Sequence, residues 1–151
     1  MGIRGLNPSF ATKSFSDQTV DFFGTAIAYR LGYKELEILN IFPSRASTPK
    51  HWITENAGLV ENDKHIIEAI KELKLLVVAW GSPPKGFKGE VRKAFNDRVD
   101  AVRKLLRENA KHLIKGKMLR AVSINTDQNP RHLSMAQVLP LSIKDLKIYR
   151  A

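Results

Sequence analysis

Cysteine is absent from this chain of 151 residues, which excludes a thiol nucleophile, an iron–sulfur cluster, a thiolate zinc site and a disulfide-stapled secreted scaffold. A reducing interior is the expected compartment. Apolar runs are short, and none approaches the roughly 18 residues that a membrane span requires. The opening Met1-Gly2-Ile3-Arg4 lacks the apolar stretch of a signal peptide, so a soluble, untargeted, cytoplasmic protein is expected, with no membrane partner. A phosphate-cradling glycine loop, a His-Glu-x-x-His pair and a serine elbow are all missing, which disfavours P-loop nucleotide hydrolysis and zinc hydrolysis. His51, His65, His112 and His132 are scattered singly without metal-ligand spacing. Neither a metal nor a cofactor is expected.

What is present is one domain's worth of chain with 43% hydrophobic residues, enough to close a core without disulfides or a structural metal. Acidic residues become scarce in the second half. The whole chain carries 25 Lys and Arg against 15 Asp and Glu, a net charge of +10. Residues 1–75 hold 9 basic and 9 acidic groups, whereas residues 76–151 hold 16 and 6. Within residues 85–120 there are 12 basic and 4 acidic groups. Such an excess points to a polyanionic partner, nucleic acid or a nucleotide, or else to a solvated basic helix.

Segment types alternate along the chain without repeats or low-complexity linkers. Residues 3–6 form a short apolar strand that Asn7-Pro8-Ser9 stops, since proline has no donor for a continuing ladder. Ser16 or Asp17 caps a helix over residues 18–31, with Val20, Phe23, Ile27 and Leu31 at helical spacing and Gly32 after its end. Residues 36–42 read as a buried strand and residues 43–49 as loop. A helix over residues 61–73 follows, then the most apolar strand, residues 75–80. The turn-forming stretch 81–86 leads to an amphipathic helix over residues 90–109. Its core face is Val91, Phe95, Val99, Val102 and Leu106, while Arg92, Lys93, Arg103, Lys104 and Arg107 form a basic stripe. Residues 119–124 make a fourth strand, followed by a polar run over residues 125–132.

Strands alternating with helices predict a mostly parallel four-stranded sheet covered on both faces, an α/β fold forming one domain over residues 1–151. Ligands in such sheets bind beyond the carboxyl ends of the strands. The loops located there carry the candidate chemistry. Asn7 lies before Pro-Ser at a strand end, where its amide can position water or a base edge. His132 lies in a loop after a strand with Pro130 and Arg131, where it can donate to an anion or a carbonyl oxygen. Each residue also has a purely structural reading: Asn40 and Asp17 as loop ties, Phe42 as core, Trp80 as filler at the sheet end.

Taken in order, the motifs are more specific. Gly5-Leu6-Asn7-Pro8-Ser9-x-Ala11, Asp17-x-Thr19, Gly32-Tyr33, Asn40-x-Phe42-x-x-Arg45-x-x-x-Pro49, Asn62-Asp63, Ala79-Trp80-Gly81 and Pro130-Arg131-His132-Leu133 follow one another along the chain. This succession resembles the family catalogued as domain of unknown function 1643, found in bacteria and phages, over nearly the whole sequence. Leu133-Ser134 stands where His-Pro-Leu is more usual there. More distantly, the order of elements resembles the uracil-DNA glycosylase superfamily, whose first motif is of the Gly-Ile-Asn-Pro-Gly type and whose last is His-Pro-Ser.

That resemblance implies a three-layer α/β/α sandwich and a hydrolase of N-glycosidic bonds to an unusual or modified base. It assigns Asn7 to orient the attacking water, Asn40 to read the edge of an extruded base and Phe42 to stack on it. His132 would stabilise the charge developing on the base carbonyl, and Leu133 would act as a wedge near the vacated stack. Pro8, Ser9, Asp17, Trp80 and Gly81 would complete the pocket. Arg45, Arg131 and the stripe of Arg92, Lys93, Arg103, Lys104 and Arg107 would hold phosphates. Extrusion costs a few kcal/mol, which such a pocket can recover. The alternative is a non-catalytic nucleic-acid- or nucleotide-binding accessory of phage or host defence using the same pocket. A third reading has a free nucleoside or other small anion as target, with the stripe facing solvent.

Overall fold

The computed structural model describes residues 1–5, 24–43, 58–135 and 140–151. Strand β1 (Gly2–Gly5) pairs in parallel with β2 (Glu37–Asn40) on one side and β3 (Leu76–Val78) on the other. Strand β4 (Leu119–Ala121) pairs in parallel with β3, and β5 (Lys147–Ile148) closes the far edge antiparallel to β4. The order is therefore β2-β1-β3-β4-β5. The expected sheet had four strands, and this one has five. The added strand has only two residues, both exposed, so it carries no alternation of apolar and polar positions by which a sequence could announce it.

Helix α1 (Thr25–Arg30) follows β1, helix α2 (Leu59–Glu72) follows β2, and helices α3 (Gly89–Asn109) and α4 (Lys111–Lys115) separate β3 from β4. Gly32 ends α1 as expected. Its φ of +76° lets the Tyr33 and Gly32 amides turn back onto the carbonyls of Ala28 and Tyr29, closing the helix with a left-handed cap. Residues 18–23 of the expected helix, with the caps Ser16 and Asp17, lie outside the described residues. Helix α4 was not anticipated, because one and a half turns are too short to show a period. Strand β4 stops at Ala121 rather than residue 124. There the chain bends, and Ile124 bridges Pro130 instead.

Successive residues of a strand point to opposite faces, and β3 feeds a separate cluster on each. Leu76, Val78 and Trp80 pack with Ile66 and Ile70 of α2 and with Phe95, Val99, Val102 and Leu106 of α3. Leu75, Val77 and Ala79 pack with Met1, Ile27, Ala28, Leu133 and Leu146. A strand buried on both faces explains why this stretch is the most apolar of the sequence. Among the described residues, no helix is long and apolar enough to cross a membrane.

Candidate functional site

The sheet fixes where a site can form. From β1 the chain moves to β2 on one side, then crosses back past β1 to reach β3 on the other. At such a reversal of direction the connecting loops diverge and leave a crevice beyond the carboxyl ends of the strands. In this sheet the reversal lies between β1 and β3. Gly5 is level with Asn40, Arg4 with both Leu39 and Val78, and Val78 with Ala121. The loops leaving those ends carry Asn7, Asn40, Trp80-Gly81 and the polar run that ends at His132.

The end of β2 is held from behind. Asn62 Nδ2 donates to the Asn40 carbonyl at 3.1 Å. Arg98 of α3 is 6% exposed; its Nε donates to the Ile41 carbonyl and its Nη2 to Asp63 Oδ1 at 2.6 Å. The Asn62-Asp63 pair therefore orders the strand end that carries Asn40. The side-chain amide of Asn40 is half-buried and makes no hydrogen bond among the described residues. Arg98 escapes a sequence reading because it projects from the core side of α3, where a cation carries no periodic signal.

The end of β4 is held by a second polar network. The Gly81 amide donates to the Pro130 carbonyl at 3.0 Å and the Arg131 amide to the Ser123 carbonyl at 2.8 Å. Asn129 is buried, and its Oδ1 accepts from Trp80 Nε1 at 3.2 Å and from Arg103 Nη2 at 3.3 Å. Its Nδ2 and its backbone amide both donate to Asp127. Asn125 Nδ2 donates to Ser82 Oγ at 2.8 Å, and Arg131 Nε donates to Asn125 Oδ1 at 3.3 Å. Burial works against the Asp127 carboxylate, but hydrogen bonds from Asn129 and Ser82 outweigh it and hold the group below its usual range. The signal for this network was visible as a run of turn-forming polar residues, but nothing local shows which of them turn inward.

These bonds place His132 against Gly81. A Cβ at Gly81 would lie 3.3 Å from the His132 Cβ, and Gly81 has a φ of +82°. Glycine is required there both for the backbone conformation and for the close approach. His132 is half-buried, and its carbonyl accepts from the Met135 amide to open a short 3-10 turn over Leu133–Met135.

Several expected site residues are instead core. Phe42 is 2% exposed, its ring centroid 6.4 Å from that of Phe95, so it presents no free face for stacking on a base. Trp80 is fully buried, edge-on to Tyr149 at 5.6 Å. Leu133 is fully buried in the second cluster and does not project as a wedge. The stripe on α3 is also less open than its sequence implies. Lys93 pairs with Asp97 at 2.6 Å, Lys104 with Glu108 at 4.0 Å, and Arg103 with Asp100 at 3.4 Å. Arg103 is further committed to the Tyr149 hydroxyl, the Gln128 carbonyl and Asn129. It is a structural tie between α3 and the His132 loop rather than a free phosphate ligand. Arg92 and Arg107 are exposed. Asn7, Pro8, Ser9, Asp17 and Arg45 lie outside the described residues.

Among the described motifs, Asn40, Asn62-Asp63, Trp80-Gly81 and Pro130-Arg131-His132 lie along the carboxyl edge of the sheet, and Gly32-Tyr33 lies at the amino edge, before β2. The chain belongs to the family described as Protein of unknown function (DUF1643). The match covers residues 2–132. The DUF1643 region therefore spans β1 to β4 and both sides of the Trp80–Asn129 contact, and it ends on His132. Tyr149 and β5 follow it. Searches of curated proteins and of solved structures found no match. Among the described residues of this DUF1643 protein, no group of three or more His, Asp or Glu is arranged to hold a metal ion.

Proposed function

We propose that this DUF1643 protein is a nucleic-acid- or nucleotide-directed hydrolase with a three-layer, uracil-DNA glycosylase-like architecture, acting on the N-glycosidic bond of a modified or unusual base. The observation that carries the reading is the half-buried Asn40 amide. It makes no side-chain hydrogen bond among the described residues, although the strand end that carries it is fixed by Asn62 at the Asn40 carbonyl and by Arg98 at the Ile41 carbonyl. An amide at the carboxyl end of a parallel strand, beside the strand at which the sheet order reverses and without a side-chain partner among the described residues, is suited to reading the donor and acceptor edge of a base.

In the proposed step, water oriented by Asn7 bonds through its oxygen to the sugar C1′ carbon as the C1′–N bond breaks. The bonding electron pair leaves with the base, and His132 stabilises the charge that develops on its carbonyl oxygen. The proton lost by the water neutralises the departing base, so the products are free base and an abasic sugar. A second reading is favoured by the identity of Asn7: an amide orients water but cannot remove its proton, which suits a binder that uses the same pocket without cleavage.

The test incubates wild type, Asn7→Ala, Asn40→Ala and His132→Ala with single-stranded and duplex oligonucleotides, each carrying one modified base. Free base and alkali-labile abasic sites are measured. Product from wild type that falls by about 100-fold or more in the Asn7 and His132 variants supports the mechanism. Binding without product across the panel selects the non-catalytic reading. Product that both variants retain refutes the assigned roles.

A further inference from the structure

The basic excess of the second half is divided between the two edges of the sheet: Lys85, Lys88, Arg92 and Lys93 lie on the carboxyl edge, and a second group lies away from the pocket. Helix α3 runs from the carboxyl edge of the sheet back to the amino edge, and α4 and the turn into β4 continue there. Two contacts fix that position. His112 Nε2 lies 3.2 Å from the Leu73 carbonyl, and the Leu76 amide donates to the Met118 carbonyl at 3.1 Å. Lys111, Lys115 and Lys117, with Lys71 and Lys74 from the end of α2 and the residues after it, are therefore brought to the amino edge, away from Asn40 and His132. All five are exposed.

Among the described residues their charge is left uncompensated, like that of Arg92 and Arg107 and unlike that of the rest of the α3 stripe. Lys93, Arg103 and Lys104 each have a carboxylate partner within one helical turn. Among the described residues, none of the five amino-edge lysines takes part in an ion pair. The sequence between Glu108 and Asp127 contains no acidic residue. Glu72 lies between Lys71 and Lys74 in sequence, and Glu35 and Glu37 flank the Met1 amine on the β2 side. Strand β2 is three positions from β4, roughly 14 Å away at the spacing of paired strands, so these carboxylates lie more than a Debye length from the turn that carries Lys117 into β4, whereas Lys74 shares the surroundings of the Met1 amine with them.

We infer that the face built by Lys111, Lys115 and Lys117, flanked by Lys71 and Lys74, binds the phosphate backbone of a nucleic acid, at a surface separate from the pocket. A protein interface is centred on buried aromatic or apolar anchors, and here Ile114 is the one exposed large apolar side chain on α4, Leu113 being buried in the core. Adsorption to a membrane surface requires an amphipathic helix with an apolar face to insert, and α4 has five residues. Exposed lysines without apolar anchors match phosphodiester recognition, which is electrostatic and independent of sequence. The inference does not depend on the pocket's chemistry.

The test measures fluorescence anisotropy of labelled 20-mer DNA, duplex and single-stranded, across a salt series. It compares wild type, the triple variant Lys111→Gln/Lys115→Gln/Lys117→Gln, a control Lys93→Gln/Lys104→Gln, and the pocket pair Asn40→Ala/His132→Ala. The triple variant is expected to lower the slope of log affinity against log salt on duplex by about 2.7, at about 0.9 per phosphate contact. The control and the pocket pair keep the wild-type slope. A triple variant with unchanged slope, a control that loses as much, or a wild type that does not bind the 20-mers overturns the inference. So does displacement of the DNA by polyaspartate at equal charge but not by unlabelled DNA, since the partner would then be an acidic protein. Absence of glycosidic cleavage by wild type with this slope intact counts against the proposed function alone.

Discussion

Replacing Asn129 by alanine is the sharpest test of how the His132 loop is held. The substitution removes the acceptor of the Trp80 indole N–H, and Trp80 is fully buried, so water cannot replace the lost bond. An orphaned buried donor costs about 1–3 kcal/mol. The other groups that Asn129 engages lose less. Arg103 keeps the Tyr149 hydroxyl, the Gln128 carbonyl and Asp100, and Asp127 is exposed enough to be hydrated. The expected destabilisation is thus about 2 kcal/mol, or roughly 4–8 °C in Tm for a chain of this length. Urea unfolding followed by tryptophan fluorescence measures it, with the slope against denaturant unchanged. In a double-mutant cycle, Trp80→Phe removes the donor, so the pair of changes costs about 1 kcal/mol less than the sum of the singles. A loss under about 0.5 kcal/mol, or a strictly additive cycle, would refute the claim that this bond holds the loop.

Arg98→Met leaves Asp63 and the Ile41 carbonyl without their partner; because Asp63 is partly exposed, about 2–3 kcal/mol is expected, at or below the low end for a broken buried pair. Urea unfolding checks this value, and Asp63→Leu added to Arg98→Met should recover part of it, whereas a further loss would contradict the pairing. Gly81→Ala forces a side chain onto a backbone at φ +82° and against His132, so a loss of about 1–2 kcal/mol is expected from the backbone alone; a shift of the His132 ring resonances should accompany it, and a neutral variant with unmoved resonances would count against the close approach. Asp127 titrates below its usual range in the folded protein, so its contribution is full above the ordinary carboxylate pKa of about 3.9 and is lost as pH falls through the folded value. The stability difference between wild type and Asp127→Asn should therefore shrink on acidification, and a difference that stays constant from neutral pH to pH about 2 would rule out this linkage.

Much of the architecture could be read from pattern alone because burial imposes a period. The core face of α3 is visible as Phe95, Val99, Val102 and Leu106 at helical spacing, and all four are buried. The doubly buried β3 is visible as an apolar run. What escaped were elements too short to show a period, α4 and β5, and side chains whose direction depends on distant neighbours. Arg98 is an example: the same residue type as Arg92 and Arg107 on the same helix, it turns inward because Asp63 and the Ile41 carbonyl await it 35 and 57 residues away in sequence. Arg103 was legible as a cation, but its commitment to Tyr149 and Asn129 was not.

The candidate site divides in the same way. Its motifs and their order were in the sequence, and the topology brings Asn40, Asn62-Asp63, Trp80-Gly81 and Pro130-Arg131-His132 to one edge of the sheet while Gly32-Tyr33 lies at the other. The roles of Phe42, Trp80 and Leu133 were decided by packing, which buries all three.

The absence of cysteine is a matter of composition and needs no structure. Without cysteine there is no thiol chemistry, whatever the fold. Net charge is likewise a sum over residues, and the sequence determined both its size and its confinement to the second half. Only the tertiary structure decided where that charge acts, because a helix running from one edge of a sheet to the other spreads its cations between the pocket's edge and the opposite one. Ion pairing then separates lysines that are neutralised within one helical turn from those that are not. Position along a chain gives composition, whereas the field at a surface depends on which charges the fold leaves without a partner.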